Sequence, residues 1–170
     1  MDITQLILDD HREQRRLFAM IEQIGSDDTE SLAAVWKRLE TFLEVHAETE
    51  EKIFYPALLH IGRESGDRAG VETETLDAIK DHNEIRDAIA AVSYTSVGSA
   101  EWIKAVAAAN KANGDHMAEE EREGLSDFRR QASLEYRHEL AIQFAAYETS
   151  HITGVKPVDK DPKTWVKDHG

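Results

Sequence analysis

Apolar residues recur at three- and four-residue intervals along most of the chain, the period of helices with one buried face. The first such segment, about residues 2–24, aligns Ile7, Phe18 and Ile21 with His11, and the polar run GSDDTES (25–31) ends it. A second, about 30–60, carries Val35, Leu39, Phe42, His46, Glu50 and Ile53, with Pro56 placed to kink or tighten its end. The polar, glycine-containing stretch 62–73 reads as a loop. A third segment, about 72–93, has Ile79, His82, Ile85 and Ile89, and a fourth, about 99–124, has Ile103, Val106, His116 and Glu120. A fifth, about 126–151, shows Phe128, Leu134, Leu140, Ile142 and Phe144. The proline-punctuated tail, 154–170, reads as extended, with Trp165 as its anchor. No strand pattern appears.

These segments predict an all-α fold: an up-down-up-down four-helix bundle over 1–125, with an additional C-terminal helix and extended tail (126–170) packed on the same domain. A chain of 170 residues suits one domain. What does not suit an ordinary core is the set of imidazoles and carboxylates on the apolar stripes. His11, His46, His82 and His116 are separated by 35, 36 and 34 residues, one per bundle helix. A helix plus loop of that length returns each histidine to one level of the bundle interior. His46 with Glu50, and His116 with Glu120, are each four apart and so share a helix face. Helical hairpins with incidental histidines would produce the same spacing. That reading leaves Glu50 and Glu120 in the core without partners, which is costly.

Four imidazoles and two carboxylates converging in a core form a donor set for borderline or hard transition metals. Two carboxylates bridging, with two histidines on each side, would hold a pair of irons. The chain has no cysteine, which excludes disulfides and thiolate metal sites and disfavours an iron–sulfur cluster. The order is His-x-x-x-Glu, not the Glu-x-x-His of ferritin-like di-iron bundles. A formal charge of −14 argues against nucleic acid or an anionic membrane surface as partner. No apolar run approaches the ~20 residues of a transmembrane helix. The acidic start, MDITQLILDDHREQ, lacks the basic flank of a signal peptide, so the expectation is a cytoplasmic protein.

The motifs DDHREQRRLF, HAETEEKIFYPAL, DHNEIRDAI and HMAEEEREG, in that order over residues 9–124, resemble the hemerythrin-like HHE cation-binding family, known in bacteria. The segment after DFRRQASLEYRHEL resembles a C-terminal helical extension of some bacterial relatives. The resemblance implies a four-helix bundle holding two non-heme irons, oxo- or hydroxo-bridged, with His11, His46, Glu50, His82, His116 and Glu120 as metal ligands. It also implies small ligands, namely oxygen, peroxide or nitric oxide, and a monomer or homodimer.

Two positions depart from the oxygen-carrying members. Those have a second histidine four residues after the third-helix ligand, where this chain has Arg86, and they end in His-x-x-x-x-Asp, where this chain has His116-x-x-x-Glu120. One metal thereby loses a nitrogen and gains an exchangeable position, which favours reaction with peroxide, oxygen or nitric oxide. Arg86 would then be a cationic neighbour of the site or a solvated helix charge, and Glu119, Glu121 or Tyr55 are alternative occupants of the gap. His60, His138, His151 and His169 fall outside the constellation. Three classes of function remain open: a di-iron protein of oxidative or nitrosative stress response with catalase-like or peroxidase-like activity, an oxygen or iron sensor or carrier without turnover, and a bundle that uses metal only as a structural staple.

Overall fold

The computed structural model describes residues 1–170. It contains eight α-helices and no strand: α1 (Ile3–Gln23), α2 (Thr29–Thr49), α3 (Tyr55–Ser65), α4 (Arg68–Ser93), α5 (Ala100–Arg122), α6 (Gly124–Gln131), α7 (Leu134–Ser150) and α8 (Pro162–His169). A five-residue π-helical turn, Glu50–Phe54, joins α2 to α3 without a break, so the two act as one long bundle element. The bundle is therefore α1, α2–α3, α4 and α5. α7 lies against α1 and α2, and α8 against α4. No helix is long and apolar enough to cross a membrane.

Side-chain caps set where the helices begin. Asp2, Asp28, Ser99, Ser133 and Asp161 each accept a hydrogen bond from a backbone N–H two or three residues on. The expected loop at 62–73 is much shorter than its composition suggests. α3 runs to Ser65, Gly66 ends it with a left-handed φ of 84°, and α4 starts at Arg68. The fifth expected helix is two helices, because Ser133 caps a new start after the extended Ala132. The tail is extended only up to Asp161, where an Asp cap followed by Pro162 starts α8, and Trp165 is buried.

The π turn has a local cause. Pro56 has no N–H to offer the Lys52 carbonyl and its ring crowds that oxygen, so the i→i−4 ladder fails there. The Tyr55 N–H instead reaches back five residues, to the Glu50 carbonyl. One extra residue in the turn rotates the following helix and places Glu50, Glu51, Phe54 and Tyr55 all inside.

The core is layered. One apolar cluster includes Ile3, Ile7, Phe54, Leu58 and Ile79, and α6–α8 cover it with Phe128, Leu140, Phe144 and Trp165. A second, towards the other end, includes Leu17, Phe18, Trp36, Leu39, Ile85, Trp102 and Val106. Between them, in chain order on every bundle helix, lies a buried polar layer: His11 and Gln14, His46 and Glu50, His82 and Arg86, Asn113, His116 and Glu120. Of the stripe residues expected from sequence, Ile103, Leu134 and Ile142 are instead largely exposed.

Candidate metal centre

All six expected site residues are at least 94% buried and meet in the polar layer. His46 Nε2 lies 2.9 Å from Glu50 Oε1, and His11 Nε2 lies 3.9 Å from the same oxygen. The other Glu50 oxygen, Oε2, is 3.3 Å from His82 Nε2 and 4.0 Å from His116 Nε2. Two triads of metal-competent atoms result, His11–His46–Glu50 and Glu50–His82–His116, with Glu50 common to both. Glu120 is placed less symmetrically. Its Oε2 is 3.3 Å from His11 Nε2, while its Oε1 accepts a 2.8 Å hydrogen bond from the Tyr55 hydroxyl.

Outside this inner ring sits a second one, and it decides which nitrogen of each histidine faces inwards. His46 Nδ1 is 3.2 Å from Asp10, His82 Nδ1 is 2.9 Å from Glu51, His116 Nδ1 is 3.7 Å from Asp81, and His11 Nδ1 is 2.9 Å from Glu121. Each of these carboxylates is the immediate sequence neighbour of an inner residue, and each serves the next helix in the bundle. Asp10 on α1 serves α2, Glu51 on the π turn serves α4, Asp81 on α4 serves α5, and Glu121 on α5 serves α1. The ring closes on itself. A carboxylate at Nδ1 holds the proton there and leaves Nε2 as a lone pair, the arrangement that orients metal-ligating imidazoles. His46 has a further carboxylate, Glu148 of α7, at 3.7 Å.

The inner atoms fit a metal. His11 Nε2, His46 Nε2, both Glu50 oxygens and Glu120 Oε2 are buried without a hydrogen-bond partner. Orphaned polar atoms cost about 1–3 kcal/mol each, so five at one point call for a cation. His82 Nε2 and His116 Nε2 face each other at 3.1 Å, a separation that two metal–nitrogen bonds of about 2.1 Å can span. Nitrogen and carboxylate donors without sulfur suit iron, manganese or zinc rather than copper(I).

A family model settles the relationship: the hemerythrin HHE cation-binding domain matches residues 2–125. The chain belongs to that family. Comparison with curated proteins and with solved structures gave no match. The HHE match ends just inside α6, so α7 with Glu148 and the whole C-terminal tail lie beyond it.

The structure also places the residues whose roles the sequence left open. Arg86 is no solvated charge. It is 5% exposed, and it donates from Nη2 to Glu51 Oε1 at 2.9 Å and lies 3.4 Å from Glu44 through Nε. It acts on His82 through Glu51. Glu119 is exposed, and Glu121 faces the outer nitrogen of His11, with Arg15 2.8 Å away. Tyr55 is turned inwards by the π turn and bonds Glu120. His60 and His138 are exposed, His151 stacks on Tyr147 and His169 on Trp165. The outer carboxylates were missed by sequence reasoning, although the signal was there: every inner motif is written with a second acid beside it, as DDH, EE, DH and EE.

In the metal-free site the charges reorganise. Burial opposes a charge on His82, but the adjacent carboxylates of Glu50 and Glu51 outweigh it and raise its pKa to about 9. His46 is also raised well above its usual range, against burial, chiefly by Glu50 and then Asp10. Burial disfavours ionised Glu51, yet His82, Arg86 and Lys160 pull it down to about 2. At neutral pH the metal-free site thus holds imidazolium–carboxylate pairs, and a metal must displace those protons. The His82 contribution to stability is fully present below 6.5 and is lost as pH rises through about 9. That of Glu51 is present above 4.5 and is lost as pH falls towards about 2. Chelator-stripped protein is therefore expected to be most stable between those limits. Metal uptake at pH 7 is expected to release protons, and the stabilisation by metal to grow as pH rises towards 9. Melting curves across pH, with and without chelator, read both. Equal pH profiles for the two forms would contradict the assignment.

Proposed function

We propose that this HHE protein is a non-heme di-iron protein that reacts with peroxide, nitric oxide or oxygen. His11, His46 and Glu120 would hold one iron and His82 and His116 the other, with Glu50 common to both. The observation that carries the reading is the sharing of Glu50 between two histidine pairs, its two oxygens divided between them. Iron bound there supplies the redox chemistry.

What the chain's own residues contribute is asymmetry. Each pair has two histidines, but position 86 beside His82 carries an arginine engaged with Glu51, and the other pair has no such neighbour. The Glu120 oxygen that would serve this side is occupied by the Tyr55 hydroxyl. Beside His116, Glu120 and Tyr55 opens a cavity of about 20 Å³, room for one water-sized molecule. Glu74, Asp77, Asp81, Glu119 and Glu123 line the same cavity. Their charge admits small neutral molecules more readily than anions. Tyr55 is placed to hold a proton against Glu120 at the cavity floor. Its pKa is raised well above the ordinary value by burial and then by the charges of Glu120 and Glu50, so the phenol stays protonated.

The test is stopped-flow mixing of iron-loaded protein with hydrogen peroxide, and separately with azide. Peroxide is expected to be consumed faster than by an equal concentration of free iron, with the charge-transfer bands perturbed. Azide is expected to bind more slowly as ionic strength falls, because repulsion by the acidic lining is then less screened. The near-complete enclosure of the inner ring favours a second reading, a carrier or sensor without turnover. A stable oxygenated spectrum with no peroxide consumption would decide for that reading and against ours.

A further inference from the structure

The segment between α7 and α8 has no regular secondary structure, yet one residue in it is fixed at three points. The side-chain amide of Asn83, next to His82 on α4, clamps the backbone of Lys160. The Lys160 N–H donates to Asn83 Oδ1 at 3.0 Å, and Asn83 Nδ2 donates to the Lys160 carbonyl at 2.7 Å. From that clamp the Lys160 ammonium reaches inwards to Glu48 Oε2, at 2.6 Å, and pairs with Glu51 Oε2. Glu51 is 2% exposed, and its other oxygen accepts from His82 Nδ1 and from Arg86, each at 2.9 Å.

Glu51 therefore differs from the other outer carboxylates. Glu121 has a single, half-exposed arginine beside it, and neither Asp10 nor Asp81 has a lysine or arginine within ion-pair distance. Only Glu51 carries two cations, and it does so on the side of the site where Arg86 stands at the position that holds a histidine in the oxygen-carrying members. The physical consequence has a sign. A carboxylate already bound to two cations pulls less on the His82 Nδ1 proton, so the imidazole is a weaker donor through Nε2 than it would be against a free carboxylate. The charge of Lys160 also favours the lower oxidation state of a metal nearby.

We propose that Lys160, delivered by the C-terminal tail, is a positioning residue of the metal centre, which through Glu51 sets the orientation and donor strength of His82 and makes the tail part of the site. The inference rests on the metal reading given above. The tail is then more than a cover for apolar surface, and detaching it should be felt at the metal on the His82–His116 side.

The experiment uses the iron-loaded full chain with Lys160→Met, Lys160→Arg and, as an exposed tail control, Lys156→Met. Two quantities are read: the rate of iron loss to a ferrous chelator and the midpoint potential. Lys160→Met is expected to lose iron about tenfold more slowly, the usual scale for a change in an outer-ring partner of a ligand, because His82 then donates more strongly, and to shift the midpoint towards the ferric state. Lys160→Arg is expected to restore both, and Lys156→Met to change neither. Asn83→Ala, which frees the backbone clamp but keeps the lysine, should move both in the same direction by less. A Lys160→Met protein with wild-type iron loss and midpoint would overturn the proposal. So would a lower melting temperature with an unchanged midpoint, which is what mere packing of the tail produces, or an arginine variant no better than the methionine one. If the wild-type chain takes up no iron, the metal reading fails and this inference with it. Two irons in wild type and a silent Lys160→Met remove this inference alone.

Discussion

Glu50→Ala should empty the site of both metals, while His116→Ala should empty only one side. Glu50 is fully buried, and each of its oxygens faces a different histidine pair, so its loss removes a donor from both at once. It also removes the buried negative charge that offsets a cation on either side. His116 serves only the Glu50–His82–His116 triad, and its removal leaves His11, His46, Glu50 Oε1 and Glu120 Oε2 in place. Glu120→Ala should fall between them, because its second oxygen is held by Tyr55 rather than shared between the triads. Iron-to-protein ratios of the reconstituted variants measure this directly. Two irons per chain in Glu50→Ala would break the bridging role.

Arg86→Met should lower stability by about 3 kcal/mol, the low end of the range for removing one partner of a buried ion pair. The low end applies because Lys160 still pairs with Glu51 after Arg86 is gone. Glu44 has no such substitute among the contacts of its side chain. Burial already pushes its pKa up, against the pull of Arg86, and the variant removes that pull. For a chain of this length the loss corresponds to a fall in melting temperature of roughly 6–12 °C. The comparison is best made on chelator-stripped protein, where metal stabilisation does not mask the effect. An unchanged melting temperature would mean that Arg86 is solvated in solution and does not hold Glu51.

How much of this was legible in the sequence differs from residue to residue. The four histidines and two glutamates were legible because their spacing repeats the length of a helix plus its loop, and because i and i+4 share a face. The inward turn of Tyr55 was half legible: Pro56 announces a failed backbone hydrogen bond, but whether a chain answers with a kink or a π turn depends on what the neighbouring helices bury. The outer carboxylates were spelled beside every inner residue but read as solvated charge, since adjacency in sequence says nothing about which helix a side chain will reach. Lys160 was illegible. It lies in a segment without periodicity, and only the Asn83 clamp, 77 residues away in sequence, gives it a place. Leu134 and Ile142 misled in the opposite direction, as apolar residues on a helix that is covered on one side only.

The central claim is that two cations sit in one polar layer with Glu50 between them. Anomalous diffraction at the iron edge, from crystals of the iron-loaded chain, tests it most directly. The account requires two peaks, one bounded by His11, His46 and Glu50 and the other by Glu50, His82 and His116. A single peak, or peaks on the surface with these six side chains bare, would contradict it.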